Sequence, residues 1–172
     1  MRRALDALYT LSGALAGFFI VAITCVILAQ IIARWVGFII PSTDDLSGFF
    51  LAASSFLGLA YTFTQGGHIR VSLVIQQLPT RWRKPQEILV LLIACILGCV
   101  MTWHLTYMVY ESWLFEDVSI GYLPIPLWIP QSSVALGMII FNISLIDALI
   151  GLLRGQQAHY QRHEEALSLE EL

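Results

Sequence analysis

The fold of this chain is decided by residues 44–79, DDLSGFFLAASSFLGLAYTFTQGGHIRVSLVIQQLP. Their central part, residues 46–67, contains 22 residues and no charged side chain. As an α-helix this part would be about 33 Å long, which matches a hydrocarbon core of about 30 Å. The acidic pair Asp44 and Asp45 is therefore expected at one membrane surface, and His68 at the other.

The overall composition indicates an integral membrane protein. The chain has 172 residues, of which 58% are hydrophobic and only 12% are charged, and its mean hydropathy is +0.76. Soluble domains carry about 25% charged residues. A core of this size cannot hide so much apolar surface from water, so the lipid bilayer is the expected surrounding of the chain.

Four apolar runs predict four transmembrane helices in an all-α membrane domain, residues 1–154. The predicted spans are approximately 8–36, 45–63, 86–110 and 127–153. The last one begins after a proline-rich connection, and proline favours a helix start. Residues 155–172 are polar and rich in glutamate, which predicts a tail without a fold of its own.

A short amphipathic helix is predicted between spans two and three, at approximately residues 69–78. Val71, Val74, Ile75 and Leu78 recur at helical spacing, and the segment is too short to cross a membrane. It is therefore expected to lie in the interface plane.

The distribution of basic residues predicts the topology. Arg70, Arg81 and Arg83 belong to the connection between spans two and three, and further arginines flank both termini. Because Lys and Arg accumulate on the cytoplasmic side, we expect that connection and both termini in the cytoplasm.

Arg34 ends the first span on the side where the second span begins. The connection 37–43 is short, and a charge near a span end must pair or extend to the headgroups. We predict an ion pair between Arg34 and Asp44 or Asp45, with Asp45 preferred, while an arginine that reaches only to the headgroups stays open. In the second span, small residues such as Gly58 predict close contact with other helices.

The opposite connection, after the third span, carries Glu111, Glu116 and Asp117 and no basic residue. The distribution of basic residues predicts that this connection lies on the side opposite the cytoplasm. His104 lies inside the third span, where a histidine is either a functional residue or a hydrogen-bonded packing residue.

The remaining motifs exclude most catalytic classes. The sequence has no phosphate-binding glycine loop, no nucleophile elbow and no HExxH motif. Cys25, Cys95 and Cys99 lie in apolar runs, which favours packing over a disulfide or a metal site. Small exporters usually carry a carboxylate at mid-depth of a span, and no span of this sequence has one. We therefore expect no catalytic, cofactor or metal site and no nucleic-acid partner, and we interpret the chain as a helper of a larger membrane protein.

Three runs together resemble a known family. LAQIIARWVGF at residues 28–38, the segment 44–71 with its following LP, and IPLWIPQSSVALG at residues 125–137 are similar to the small, DctQ-like permease subunit of tripartite ATP-independent periplasmic (TRAP) transporters. The family pattern has counterparts here in a set spread over two spans and the following connection: Arg34, Asp44, Asp45, Gly58, His68 and Arg70. Glutamates are more usual at the acidic pair, and Ser72 stands where an acid commonly follows the basic motif.

The resemblance implies a function. A periplasmic binding protein would deliver an organic acid to a large elevator subunit driven by sodium, and the small subunit would brace that large subunit in the bacterial inner membrane. Sodium would then bind the partner and not this chain. The connection that carries Glu111, Glu116 and Asp117 would contact the periplasmic binding protein. Two alternatives stay open, a membrane-embedded redox or quinone-binding protein that uses His104, and a self-sufficient small exporter.

Overall fold

The computed structural model describes residues 2–65 and 80–154, with side chains from residue 84 onward in the second range. It contains four helices: α1 Arg2–Trp35, α2 Thr43–Thr64, α3 Thr80–Leu114 and α4 Trp128–Leu153. Each is long and apolar enough to cross a membrane. The predicted all-helical architecture with four spans is confirmed. The predicted interfacial helix at 69–78 and the tail at 155–172 lie outside the described residues.

Two of the helices begin well before the uncharged runs that predicted them. α1 begins at Arg2 and α3 at Thr80, where the predicted spans begin at residues 8 and 86. α3 therefore includes Pro85 as its sixth residue, where proline leaves out the hydrogen bond that a backbone amide would donate to the Arg81 carbonyl. Charged residues can extend a membrane helix beyond the hydrocarbon core, since that core limits only the apolar part of the helix.

The helices lie in the spatial order α1, α2, α4, α3. α1 packs on α2, α2 packs on α4, and α4 packs on α3, while α1 contacts α4 at only a few residues. α1 and α3 are therefore the outer members of the row. Neighbours α1 and α2 are antiparallel, since Gly13 of α1 meets Tyr61 and Phe19 meets Phe50.

Small side chains let these helices approach closely. Ser54 of α2 donates a hydrogen bond of 3.0 Å to the Ala16 carbonyl of α1, a buried contact between two helices. On the other side of α2, Gly137 of α4 lies against the Phe56 backbone. The largest buried cluster contains Tyr9, Ala16, Ala53, Leu57, Ala60 and Ile140. Most other large apolar side chains of the spans are exposed, as expected for a bundle surrounded by lipid.

The bundle has two distinct ends. The connections 36–42 and 115–127 meet at one of them, which we call the loop end. The opposite end contains the start of α1, the end of α2 and the start of α3, and we call it the terminal end. α4 runs from the loop end to the terminal end, parallel to α2.

Candidate functional site

The loop end is the part of the bundle where two separate connections are joined. The Leu123 amide donates a 3.0 Å hydrogen bond to the Ser42 hydroxyl. The Asp45 carboxylate lies directly against Gly121, where no side chain intervenes. Ser42 has φ 57°, a left-handed backbone conformation that is strained for a residue with a side chain. In this conformation its hydroxyl reaches the Leu123 amide of the other connection. The start of α2 therefore holds the long connection in place.

The connection 115–127 folds back on itself. The Leu127 amide donates to the Asp117 carbonyl and the Ser119 amide to the Ile125 carbonyl, each at 2.9 Å. The Ser119 hydroxyl accepts a further bond from the Ile125 amide. These hydrogen bonds hold a non-helical segment in a defined conformation over the ends of α3 and α4.

A cleft of about 530 Å³ opens between this surface and the end of α3. Its lining combines aromatic and apolar groups with one carboxylate: Trp113, Leu114, Glu116, Val118, Pro126 and Trp128. Glu116 adopts φ 54°, so its backbone is held in the left-handed region. The cleft at the loop end is thus lined mainly by aromatic and apolar side chains and contains one acidic side chain.

The three predicted partner-facing acids are not equivalent. Glu116 and Asp117 are exposed in the connection. Glu111 belongs to α3, is half-buried, and lies beside the Tyr107 hydroxyl, with which it interacts. Only Glu116 and Asp117 are placed as a pair of freely accessible charges, although contact of any of the three with a partner stays a prediction.

Arg34, Asp44 and Asp45 all lie at the loop end, and all three are exposed. Within residues 2–65 and 80–154 no ion pair joins Arg34 to either acid, and Asp45 is directed to Gly121 instead. The predicted pairing of Arg34 is thus not formed in this structure of the chain by itself. Its formation in an assembled transporter stays a prediction.

The other predicted residues divide by position. Gly58 lies on the α1 side of α2, where an added Cβ would be 3.6 Å from the Ala16 Cβ, an ordinary contact distance. His68 and Arg70 lie outside the described residues. Arg81 and Arg83 fall in the first turn of α3, but their side chains lie outside what is described.

His104 is exposed on α3. Among the described residues it has no hydrogen-bond or ion-pair partner. The structure therefore does not place it as a hydrogen-bonded packing residue of this bundle, and its surroundings must come from outside the four helices.

Comparison with known protein families decides the family of the chain. The model of the DctQ component of tripartite ATP-independent periplasmic transporters matches residues 23–155. The chain belongs to this family. The matched range contains all of α2, α3 and α4 and the loop-end part of α1. A search of curated proteins finds no match.

The DctQ assignment makes this chain the small membrane subunit of a TRAP transporter and a multi-pass membrane protein. The family is a transporter component and not an enzyme family. The predicted family membership is confirmed on a range that includes Arg34, Gly58 and the loop-end acids.

The structure of this DctQ chain also reveals a polar residue that the sequence-based analysis missed. Asn142 lies near the middle of α4, is 8% exposed, and donates from Nδ2 to the Cys99 sulfur of α3 at 3.2 Å. Its Oδ1 is buried without a hydrogen-bond partner among the described residues and faces Gly98. A lone asparagine in the apolar run MIIFNISLI was the available signal, because a mid-span amide usually contacts another helix.

Proposed function

We propose that this chain braces the large membrane subunit of a TRAP transporter while that subunit carries an organic acid inward. In this proposal a periplasmic binding protein delivers the acid, a sodium gradient drives the movement, and sodium binds the large subunit. The complex resides in the bacterial inner membrane, with the loop end in the periplasm and the terminal end in the cytoplasm.

The observation that carries the proposal is the family match together with the way the helices of the bundle pack. Backbone and small side chains meet directly at Gly137 and Phe56 and at Ser54 and Ala16. Interfaces of this kind resist sliding because close-packed atoms have no room to shift. A bundle built in this way suits a stationary support better than a moving carrier.

The orientation is supported by charge. Arg2, Arg3, Lys84 and Arg154 lie at the terminal end, and Arg34 is the basic residue of the loop end within the described ranges. Basic residues favour the cytoplasmic side, so the loop end with its exposed acids is assigned to the periplasm. There it would meet the binding protein.

Reconstitution tests the proposal. The chain, the large subunit and both together are placed in liposomes, and uptake of a labelled carboxylate is measured with binding protein and an inward sodium gradient. We expect uptake only with both membrane subunits. Uptake by the large subunit alone at the full rate would reject the bracing role.

Two further outcomes discriminate the alternative functions. Solute movement by this chain alone would identify a self-sufficient transporter. A haem absorption band in the purified chain, or quinone-dependent activity that His104→Ala abolishes, would identify a redox protein.

A further inference from the structure

Three polar side chains lie in the loop-end half of α3, on the side facing away from the bundle. Gly98 faces α4, where Asn142 and Leu145 lie against it. At 3.6 residues per turn His104 is rotated about 120° from Gly98 and Tyr107 about 180°. Both are exposed.

Glu111 lies on the same face of α3, two turns beyond His104, and its carboxylate interacts with the Tyr107 hydroxyl. We call His104, Tyr107 and Glu111 the α3 stripe.

His104, the first residue of the α3 stripe, lies at a depth where contact with lipid is unfavourable for an ionisable side chain. Residues 88–110 of α3 carry no charge apart from the titratable His104. His104 lies six residues before Tyr110, or about 9 Å inside the hydrocarbon core if the tyrosine marks its boundary. Ionisable side chains at such depth almost always face protein or a water-filled cavity. Within residues 2–65 and 80–154 His104 is exposed and faces neither.

The apolar run of α1, residues 7–33, contains no charged residue and no histidine. Its exposed face is apolar along most of its length and contains Leu11, Phe18, Val21, Leu28 and Ile32. Thr10 and Thr24 are also exposed, and each hydroxyl donates to a backbone carbonyl of its own helix. α1 and α3 are both outer helices of the row and both expose mainly apolar side chains, but of the two only α3 places a histidine inside its apolar run, and His104 still needs a polar contact.

Other segments of the chain are poorly suited to cover the α3 stripe. Residues 66–79 are joined at both ends to helix ends at the terminal end, and this segment is too short to reach His104, which lies 24 residues along α3 from Thr80, or about 36 Å by helical rise. The tail at residues 155–172 carries four glutamates, Glu164, Glu165, Glu170 and Glu171, which are costly to bring beside the hydrocarbon core. Another protein is the occupant that best fits an ionisable side chain at this depth.

We propose that the α3 stripe is the surface that binds the large membrane subunit, which supplies a hydrogen-bonding side chain at the depth of His104. The inference rests on the proposed function, because it takes the large subunit as the partner that is present in the membrane. α1 then faces lipid. A second copy of this chain and bare lipid are the competing occupants.

A matched pair of valines tests the surface. Val100 lies on the outer face of α3 and is 50% exposed, and Val21 lies on the outer face of α1 and is 61% exposed. Both stand near the middle of their apolar runs. Val100→Trp and Val21→Trp are each co-expressed with the large subunit, and the complex is recovered through an affinity tag on this chain.

We expect Val100→Trp to lower the recovered large subunit about tenfold, since a packed interface cannot accept an added indole without strain. Val21→Trp should leave recovery unchanged, because lipid accommodates the ring. Equal recovery for both variants, or a loss confined to Val21→Trp, overturns the proposal. Loss of a homodimer by Val100→Trp with unchanged large subunit also overturns it and assigns the surface to a second copy.

His104→Leu provides a second and opposite-signed test. If His104 faced lipid, leucine would remove a solvation cost, and the yield of complex would stay equal or rise. With a partner group at that position, leucine leaves the group unpaired, and we expect several-fold less complex. The chain alone should remain monodisperse in detergent, which separates lost binding from lost folding.

The control is the complex of the unaltered chain. If the large subunit does not co-purify with it, the proposed function fails, and the assignment of the α3 stripe fails with it. If the unaltered complex forms and all variants bind equally, only the assignment of the α3 stripe is rejected.

Discussion

Gly137 of α4 lies against the backbone of Phe56 in α2. A Cβ atom on Gly137 would be 2.5 Å from the Phe56 carbonyl carbon and 2.7 Å from its oxygen. Backbone atoms cannot rotate away as a side chain can. The absence of a side chain at Gly137 therefore sets how closely α2 and α4 approach at the centre of the bundle.

Gly137→Ala should destabilise the bundle by about 2–3 kcal/mol, because α2 and α4 must separate to admit one methyl group. The free energy of unfolding in detergent micelles measures the effect. Gly58→Ala is the matched control, since its added Cβ finds the Ala16 Cβ at 3.6 Å. Alanine also favours the helix over glycine by up to about 1 kcal/mol, so the control should be neutral or slightly stabilised. Equal stability of the two variants would contradict the packing described here.

Gly98 and Asn142 are expected to be energetically coupled across α3 and α4. A Cβ on Gly98 would be 2.9 Å from the Asn142 Oδ1, so the amide must turn and weaken its bond to Cys99. We expect Gly98→Ala to cost about 1–2 kcal/mol in the native background. In an Asn142→Ala background the clash is gone, and most of that cost should disappear.

The double-mutant cycle of Gly98→Ala and Asn142→Ala measures this coupling from four unfolding free energies. A coupling of about 1 kcal/mol is expected for residues in direct contact. Strictly additive effects would show that the two side chains do not share the space that the structure assigns to them.

The number and type of the spans could be predicted because the bilayer imposes one length scale on every apolar run. Residues 46–67 match that length, and α2 forms there from Thr43 to Thr64. Small residues on α2 also predicted helix contact, and Ser54 and Gly58 do lie against α1. These inferences depend only on composition and period, so they need no knowledge of neighbours.

The spatial order of the helices could not be predicted, because small residues do not reveal which neighbour they meet. Gly13 and Gly17 form a GxxxG motif, yet Gly13 packs against the Tyr61 ring while Gly17 faces open space. Gly48 also has open space beside it. Equal residues at equal spacing thus have different surroundings, and only tertiary packing separates them.

The contacts at the loop end could not be predicted from the sequence, for a related reason. Ser42 and Leu123 are 81 residues apart, and neither belongs to a motif that signals a cross-connection. The Arg34 prediction relied on proximity in sequence. In the structure Asp45 instead contacts Gly121, a contact that requires the long connection to fold back over α2.

Substitution of Ser42 should loosen the long connection. Ser42→Ala and Ser42→Gly both remove the acceptor of the Leu123 amide, and both should speed hydrogen exchange at Leu123. They should differ in stability, because alanine is strained at φ 57° and glycine is not. We expect the alanine variant to be less stable by about 1 kcal/mol. Ser132→Ala is the control, since its hydroxyl bonds only the nearby Ile129 carbonyl. Unchanged exchange at Leu123 would contradict the cross-connection.

The exposed pair Glu116 and Asp117 should contribute to docking of the binding protein. Glu116→Gln together with Asp117→Asn removes both charges and keeps side-chain size, and Asp117 retains its backbone bonds to Ser112 and Leu127. Two exposed charges at a protein surface change association by only a small factor, so uptake at limiting binding protein should fall about threefold. Raising the binding-protein concentration should restore the rate, because the charges act on encounter and not on turnover. A rate that stays low at saturation would place these acids in the transport step, and an unchanged rate at limiting binding protein would remove them from docking.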